Sequence, residues 1–91
     1  MKLTPIAPNQ TELKLNNGTI VFFSYETPVA LYDSESCNYF RTSKKFSTTT
    51  SRHLNKWCGD LEVKTVDQSV IEDFVSNLEV ILSFNFSSYN N

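Results

Sequence analysis

Five cations, Arg41, Lys44, Lys45, Arg52 and Lys56, lie between residues 36 and 59, and that stretch contains no acidic residue. It also holds a run of hydroxyls from Ser47 to Ser51, the single histidine His53, the single tryptophan Trp57, and both cysteines, Cys37 and Cys58. Cations mixed with hydroxyls bind anions, because ammonium and guanidinium groups supply charge and hydroxyls supply further donors. A hydroxyl run directly before Arg52-His-Leu-Asn-Lys-Trp is also a helix-start signal, in which a serine or threonine caps backbone amides that lack partners. The free amides of such a helix N-terminus carry partial positive charge and add to the same anion-binding chemistry. The candidate binding residues are therefore Arg41, Lys44, Lys45, Ser47, Thr48, Thr49, Arg52 and Lys56. Charge is segregated along the whole chain: residues 1–35 carry −2, residues 36–59 carry +5 and residues 60–91 carry −5, within a formal net charge of −2. Such segregation steers an anionic partner through a local field more than through net charge.

Covalent and metal chemistry have less support in the residues. A thiolate activated by imidazole is a nucleophile, but side chains five residues apart on a helix, as His53 and Cys58 would be, point about 140° from each other. Cys37 could approach His53 only through the fold, and no motif supplies a group to orient the ring. His53 therefore reads as a residue that packs a helix on a sheet with one hydrogen bond. Metal ligands recur in recognisable spacings that a lone histidine and scattered acids lack. Two glycines, Gly18 and Gly59, do not make a glycine-rich phosphate loop. The expectation is a protein that is not an enzyme and holds no metal or cofactor. Aromatic residues raise the further question of base stacking. Trp57 shares a helix face with Leu54 and is expected to pack on a sheet, whereas Tyr39, Phe40 and Phe46 stand beside Arg41, Lys44 and Lys45.

A chain of 91 residues suffices for one domain with one modest core. With 40% hydrophobic and 20% charged residues it has the composition of a folded protein rather than a disordered one. No apolar run approaches the roughly 18 residues of a membrane helix, and the apolar stretch after Met1 is too short for a secretion signal. The cytoplasm is the expected location, and reduced thiols are the expected state of the cysteines.

Residues 1–10, with Pro5 and Pro8, read as an extended arm that is loosely attached. Thr11-Glu-Leu-Lys-Leu alternates with the period of a half-buried strand, and Asn16-Asn-Gly is a hairpin signal because both residue types tolerate positive φ. Thr19 to Tyr25 is almost continuously β-branched or aromatic, as in a central strand covered on both faces. Val29 to Tyr32 and Cys37 to Thr42 follow as strands, so residues 11–42 predict an antiparallel meander. A short basic helix over about Thr49–Cys58 places Thr50, His53, Leu54 and Trp57 on one side and Arg52 and Lys56 on another, with Gly59 as its stop. Leu61 to Val66 reads as a short returning strand. An amphipathic helix then begins at Asp67 or Ser69 and extends to about Ser83, with a strand over Val80–Phe86 as its rival. Residues 84–91 form an aromatic and polar tail expected to fold back on the core. The expected fold class is α+β, an antiparallel meander with a short basic helix and a C-terminal amphipathic helix packed on the sheet.

Ser24-Tyr-Glu-Thr-Pro-Val-Ala, followed by Tyr39-Phe-Arg-Thr-Ser-Lys-Lys-Phe-Ser-Thr-Thr-Thr-Ser-Arg-His-Leu-Asn-Lys-Trp, resembles a family of small uncharacterised proteins carried mainly by bacteriophages and plasmids. The resemblance covers about residues 19 to 59 and implies an origin in mobile DNA, without an activity. Taken with the basic stretch, it leads to the expectation of a binding protein of a phage or mobile element that meets nucleic acid or a nucleoprotein in the cytoplasm of a bacterial host. The alternative is a protein-interaction module that inhibits a host defence or replication protein, with an anionic host protein as the partner.

Overall fold

The computed structural model describes residues 2–77. Six strands form one sheet whose spatial order follows the chain: β1 (Lys2–Ala7), β2 (Gln10–Lys14), β3 (Ile20–Ser24), β4 (Thr27–Asp33), β5 (Asn38–Thr42) and β6 (Val63–Val66). The helix α1 (Thr48–Cys58) lies between β5 and β6 in the chain, and α2 (residues 68–77) follows β6. The α+β class and the meander are as the sequence predicts. The segment expected to be a loose arm is extended, but it is hydrogen-bonded along β2 from Lys2↔Lys14 to Ala7↔Gln10 as the edge strand of the sheet. Pro5 fits that place, since it has no amide to donate and edge strands tolerate the loss. Pro8 opens the turn into β2.

Strands β1 to β5 are antiparallel, whereas β5 and β6 pair in parallel from Tyr39↔Val63 to Thr42↔Val66. The expected returning strand is thus parallel to its neighbour. A parallel partner requires the chain to travel back across the sheet before pairing, and α1 supplies that crossover.

Among the described residues each sheet face carries one helix, which explains the uninterrupted apolar run in β3. Consecutive strand residues point to opposite faces, and Val21 and Phe22 are both fully buried. On one face, Phe22, Val29 and Ala30 pack against Leu54 and Trp57 of α1. On the other, Val21 and Leu31 pack against Ile71 of α2, flanked by Leu13, Phe23, Phe40 and Phe74. The same alternation in β5 sends Tyr39 and Arg41 to the α1 face and Phe40 and Thr42 to the α2 face.

Pro28 lies inside a strand with neighbours, a placement that a regular ladder disfavours. The register resolves it. Phe22 pairs with Ala30 but Phe23 pairs with Pro28, so Val29 is an extra residue in a bulge, and β5 pairing on the other side begins only at Ala30. The Pro28 carbonyl is taken instead by the Gln68 side-chain amide at 2.9 Å, which fastens the start of α2 to β4. That start follows directly after Asp67, the earlier of the two residues expected there. The extension of this helix to Ser83, the rival strand over 80–86 and the tail over 84–91 lie outside the described residues.

Candidate nucleic-acid interface

The hydroxyl run folds as expected into the start of a helix. Ser47 has extended backbone angles (φ −152°, ψ 166°), and its Oγ accepts the Thr50 amide at 3.1 Å, so it is the N-cap. The same hydroxyl donates to Thr50 Oγ1 at 3.2 Å. At the other end Gly59 adopts φ +52° and returns its N–H to the Asn55 carbonyl at 3.0 Å, a left-handed backbone that glycine adopts without strain.

Between these caps α1 turns Thr50, Leu54 and Cys58 inward and leaves Arg52 and Lys56 exposed. Residues four apart on a helix are neighbours on its surface, so the two cations form one outward pair. Among the described residues, no acid forms an ion pair with either of them. Lys45 is exposed at the entrance to the helix, where it lines a shallow concavity with Phe46, Ser47, Thr48 and Ser51. Thr49 is exposed in the first turn, and the Lys44 ammonium lies 5.0 Å from the centre of the Phe46 ring. Two candidates face different tasks. The Ser47 hydroxyl is spent on the cap, and the half-buried Arg41 reaches along α1 to donate from Nη1 to Asn55 Oδ1 at 3.4 Å. Lys44, Lys45, Thr48, Thr49, Arg52 and Lys56 are thus brought to the exposed side of one helix and its entrance loop, with Arg41 at its flank.

The two helices differ in sign. Within α1 the charged residues are Arg52 and Lys56, and within residues 68–77 they are Glu72 and Asp73. The sheet therefore separates a basic outer layer from an acidic one.

His53 takes the packing role expected of it. Its Nδ1 lies 2.8 Å from Ser24 Oγ, which in turn lies 3.0 Å from Thr50 Oγ1. Ser47, Thr50, Ser24 and His53 thus form one hydrogen-bonded chain, in which the Ser24 hydroxyl can donate to Nδ1 or accept from it according to the ring tautomer. Ser24 is buried to 1% exposure, which leaves its hydroxyl without the access a nucleophile requires. Both cysteines are free thiols, with Cys37 exposed in the β4–β5 turn and Cys58 buried at the end of α1. Burial pushes the Cys58 thiol above its ordinary value, and the nearby Arg41 opposes the rise in part. Among the described residues, no three His, Cys, Asp or Glu side chains are placed to hold a metal ion, and no helix is long and apolar enough to cross a membrane.

The fold adds a groove that no sequence motif announces, about 440 Å³ in volume, at the C-terminal end of α1 where the helix leaves β1 and β2 uncovered. Trp57 forms part of its wall. The indole stacks on Phe22 with centroids 5.2 Å apart and planes 12° apart, meets Tyr39 edge-on at 6.1 Å, and donates from Nε1 to Glu12 Oε2 at 2.7 Å. The expected packing of Trp57 on the sheet is thus met, with a hydrogen bond across to β2 in addition. Glu12 also lies 3.8 Å from the Lys14 ammonium. Gln10, Lys56 and Leu61 line the groove as well. The one sequence signal for it is Trp57 directly beside Lys56; Gln10 sits in a segment with no motif.

A mostly antiparallel six-stranded sheet with one helix on each face, and a cationic layer on one of them, defines a small α+β protein. The chain belongs to a family of unknown function, DUF8033, whose model matches residues 1–73. The matched residues run from β1 to the start of α2, so the N-terminal strand is part of the family's common unit. No curated protein and no solved structure matches the chain.

Proposed function

We propose that this protein is a small non-enzymatic binding module of a phage or plasmid, acting in the cytoplasm of a bacterial host, that holds nucleic acid or a nucleoprotein on the cationic layer of α1. The observation that carries the reading is the outward pair Arg52 and Lys56, free of acidic partners among the described residues, with Lys45 exposed at the entrance to the same helix. Phosphates are met by such an arrangement through charge and through the partly positive helix end together. The acidic α2 on the opposite face repels the same partner, so the dipolar layer also orients it.

A second reading, a protein-interaction module that inhibits a host defence or replication protein, draws on β1. Leu3 and Ile6 of this edge strand are 65% and 44% exposed, and an unpaired strand edge with apolar side chains accepts a partner strand. One titration separates the two. Binding of single- and double-stranded oligonucleotides is measured at several salt concentrations for the native chain and for Arg52→Glu with Lys56→Glu. Phosphate binding predicts affinity that falls steeply with salt, and in the variant a slope reduced by roughly one for each cation that no longer meets a phosphate. A folded double variant that binds oligonucleotides as the native chain does would remove α1 as the binding surface, and an absence of oligonucleotide binding would leave the protein-interaction reading.

A further inference from the structure

Gln10 is only 8% exposed, its side chain lines the groove beside Trp57, and no described residue hydrogen-bonds its amide. Its amide atoms keep contact with solvent, since the buried side-chain atom without a partner among the described residues is Gln68 Oε1, and the groove is the side from which a ligand can reach them. Its placement differs from that of Gln68, whose Nε2 donates to the Pro28 carbonyl and whose Oε1 is buried without a partner among the described residues. From Gln10, Glu12, Tyr39, Lys56 and Trp57 we infer that the groove is a binding site for an unpaired nucleobase of a single strand, an inference that rests on the nucleic-acid reading of α1.

Four features fit that occupant. Carboxamides offer acceptor and donors in one plane, the pattern that pairs two-pronged with a base edge. Glu12, beside it on β2 and facing the same side of the sheet, keeps acceptor capacity after accepting the hydrogen bond from Trp57, and so meets an exocyclic amine or ring N–H. Aromatic walls stack bases without regard to sequence. Phe22 occupies one face of the indole, so the part that lines the groove is its remaining surface together with Tyr39. Lys56 belongs to both sites, since it lines the groove and lies one turn from Arg52 on the cationic layer. A strand whose phosphates follow Arg52 and Lys56 therefore delivers its next base to the groove. A base inside a duplex cannot enter a concave site of this kind, so the strand must be single. The volume of about 440 Å³ is within the roughly 300–1,000 Å³ of small-ligand sites.

Because Trp57 is the only tryptophan, its emission reports on the groove directly. The full chain is titrated with single-stranded homopolymers of each base and with the free nucleosides, following Trp57 fluorescence, for the native protein, Gln10→Leu, Gln10→Glu and the Arg52→Glu with Lys56→Glu variant. Circular dichroism checks that each variant is folded. The native chain is expected to show a change in emission and a preference among bases of about 10-fold, the scale of one good two-pronged pairing. Gln10→Leu should lose that preference while retaining salt-dependent binding, and Gln10→Glu, which exchanges donors for acceptors, should change which base is preferred. Oligonucleotide binding that depends on Arg52 and Lys56 but leaves Trp57 emission and the Gln10→Leu variant unchanged would overturn the base site and leave the reading of α1 intact. Nucleosides that alter Trp57 emission in a Gln10-dependent way, without oligonucleotide binding, would keep the base site and remove the strand. An absence of both would overturn both.

Discussion

Replacing Phe22 with alanine removes the residue around which the α1 face is built. Phe22 has no exposed surface, packs among Val29, Ala30 and Leu54, and stacks on Trp57 at 5.2 Å. Truncating a fully buried phenylalanine costs about 3–5 kcal/mol, the sum of lost transfer energy and of the cavity left behind. The upper half of that range applies here, because the sheet and helix that flank the site are tied by the bond from Trp57 to Glu12 and cannot readily collapse inward. A domain of 91 residues, at roughly 0.05–0.15 kcal/mol per residue, has about 5–14 kcal/mol in total. Phe22→Ala therefore removes a quarter or more of the stability. Phe23 points to the α2 face and is only partly buried, so Phe23→Ala should cost less, about 1–3 kcal/mol. Urea denaturation followed by Trp57 fluorescence measures both. With a slope of about 1–3 kcal/mol/M, a loss of about 4 kcal/mol moves the midpoint down by roughly 1.3–4 M. Equal shifts for the two variants, or a Phe22→Ala shift no larger than the roughly 0.5 kcal/mol of a surface change, would refute the assignment of Phe22 to a helix-covered face.

The bond from Trp57 Nε1 to Glu12 joins α1 to β2 across 45 residues of sequence, and Trp57→Phe, which keeps the stack but removes the donor, should cost about 1.5–3 kcal/mol; a double-mutant cycle with Glu12→Gln that shows no coupling would mean that the bond adds no stability. Ser47→Ala should cost about 1 kcal/mol by thermal melting, and Ser47→Asp, which restores a cap, should recover most of it. A thiol reagent at neutral pH should titrate one cysteine, Cys37, in the folded chain and two in urea. The pH dependence follows from Cys58, whose folded thiol titrates above its ordinary value of 9.0, so the folded state retains a proton that the unfolded state loses. Stability from this group is then complete below pH 9 and declines as pH rises through the higher folded value, and Cys58→Ala should flatten that decline.

Period and punctuation set most of the elements. Alternation in Thr11–Leu15, the Asn-Gly turn that ends in Gly18 at φ +95°, the apolar run of β3 and the hydroxyl cap with Gly59 at the far end of α1 are local signals, since strand, hairpin and cap energies are governed by residues within a few positions of one another. The charge on α1 is equally legible, because a helix presents residues four apart together whatever it packs on. The remainder depends on pairs distant in sequence. The attachment of β1, the parallel direction of β6 and the side of the sheet taken by Tyr39 and Phe40 follow from which strands meet, and no short window of sequence contains both partners. The groove is the clearest case. Gln10 and Trp57 are 47 positions apart, and neither carries a motif. Their meeting becomes visible only when register places Gln10 on the α1 face and the helix stops short of covering it.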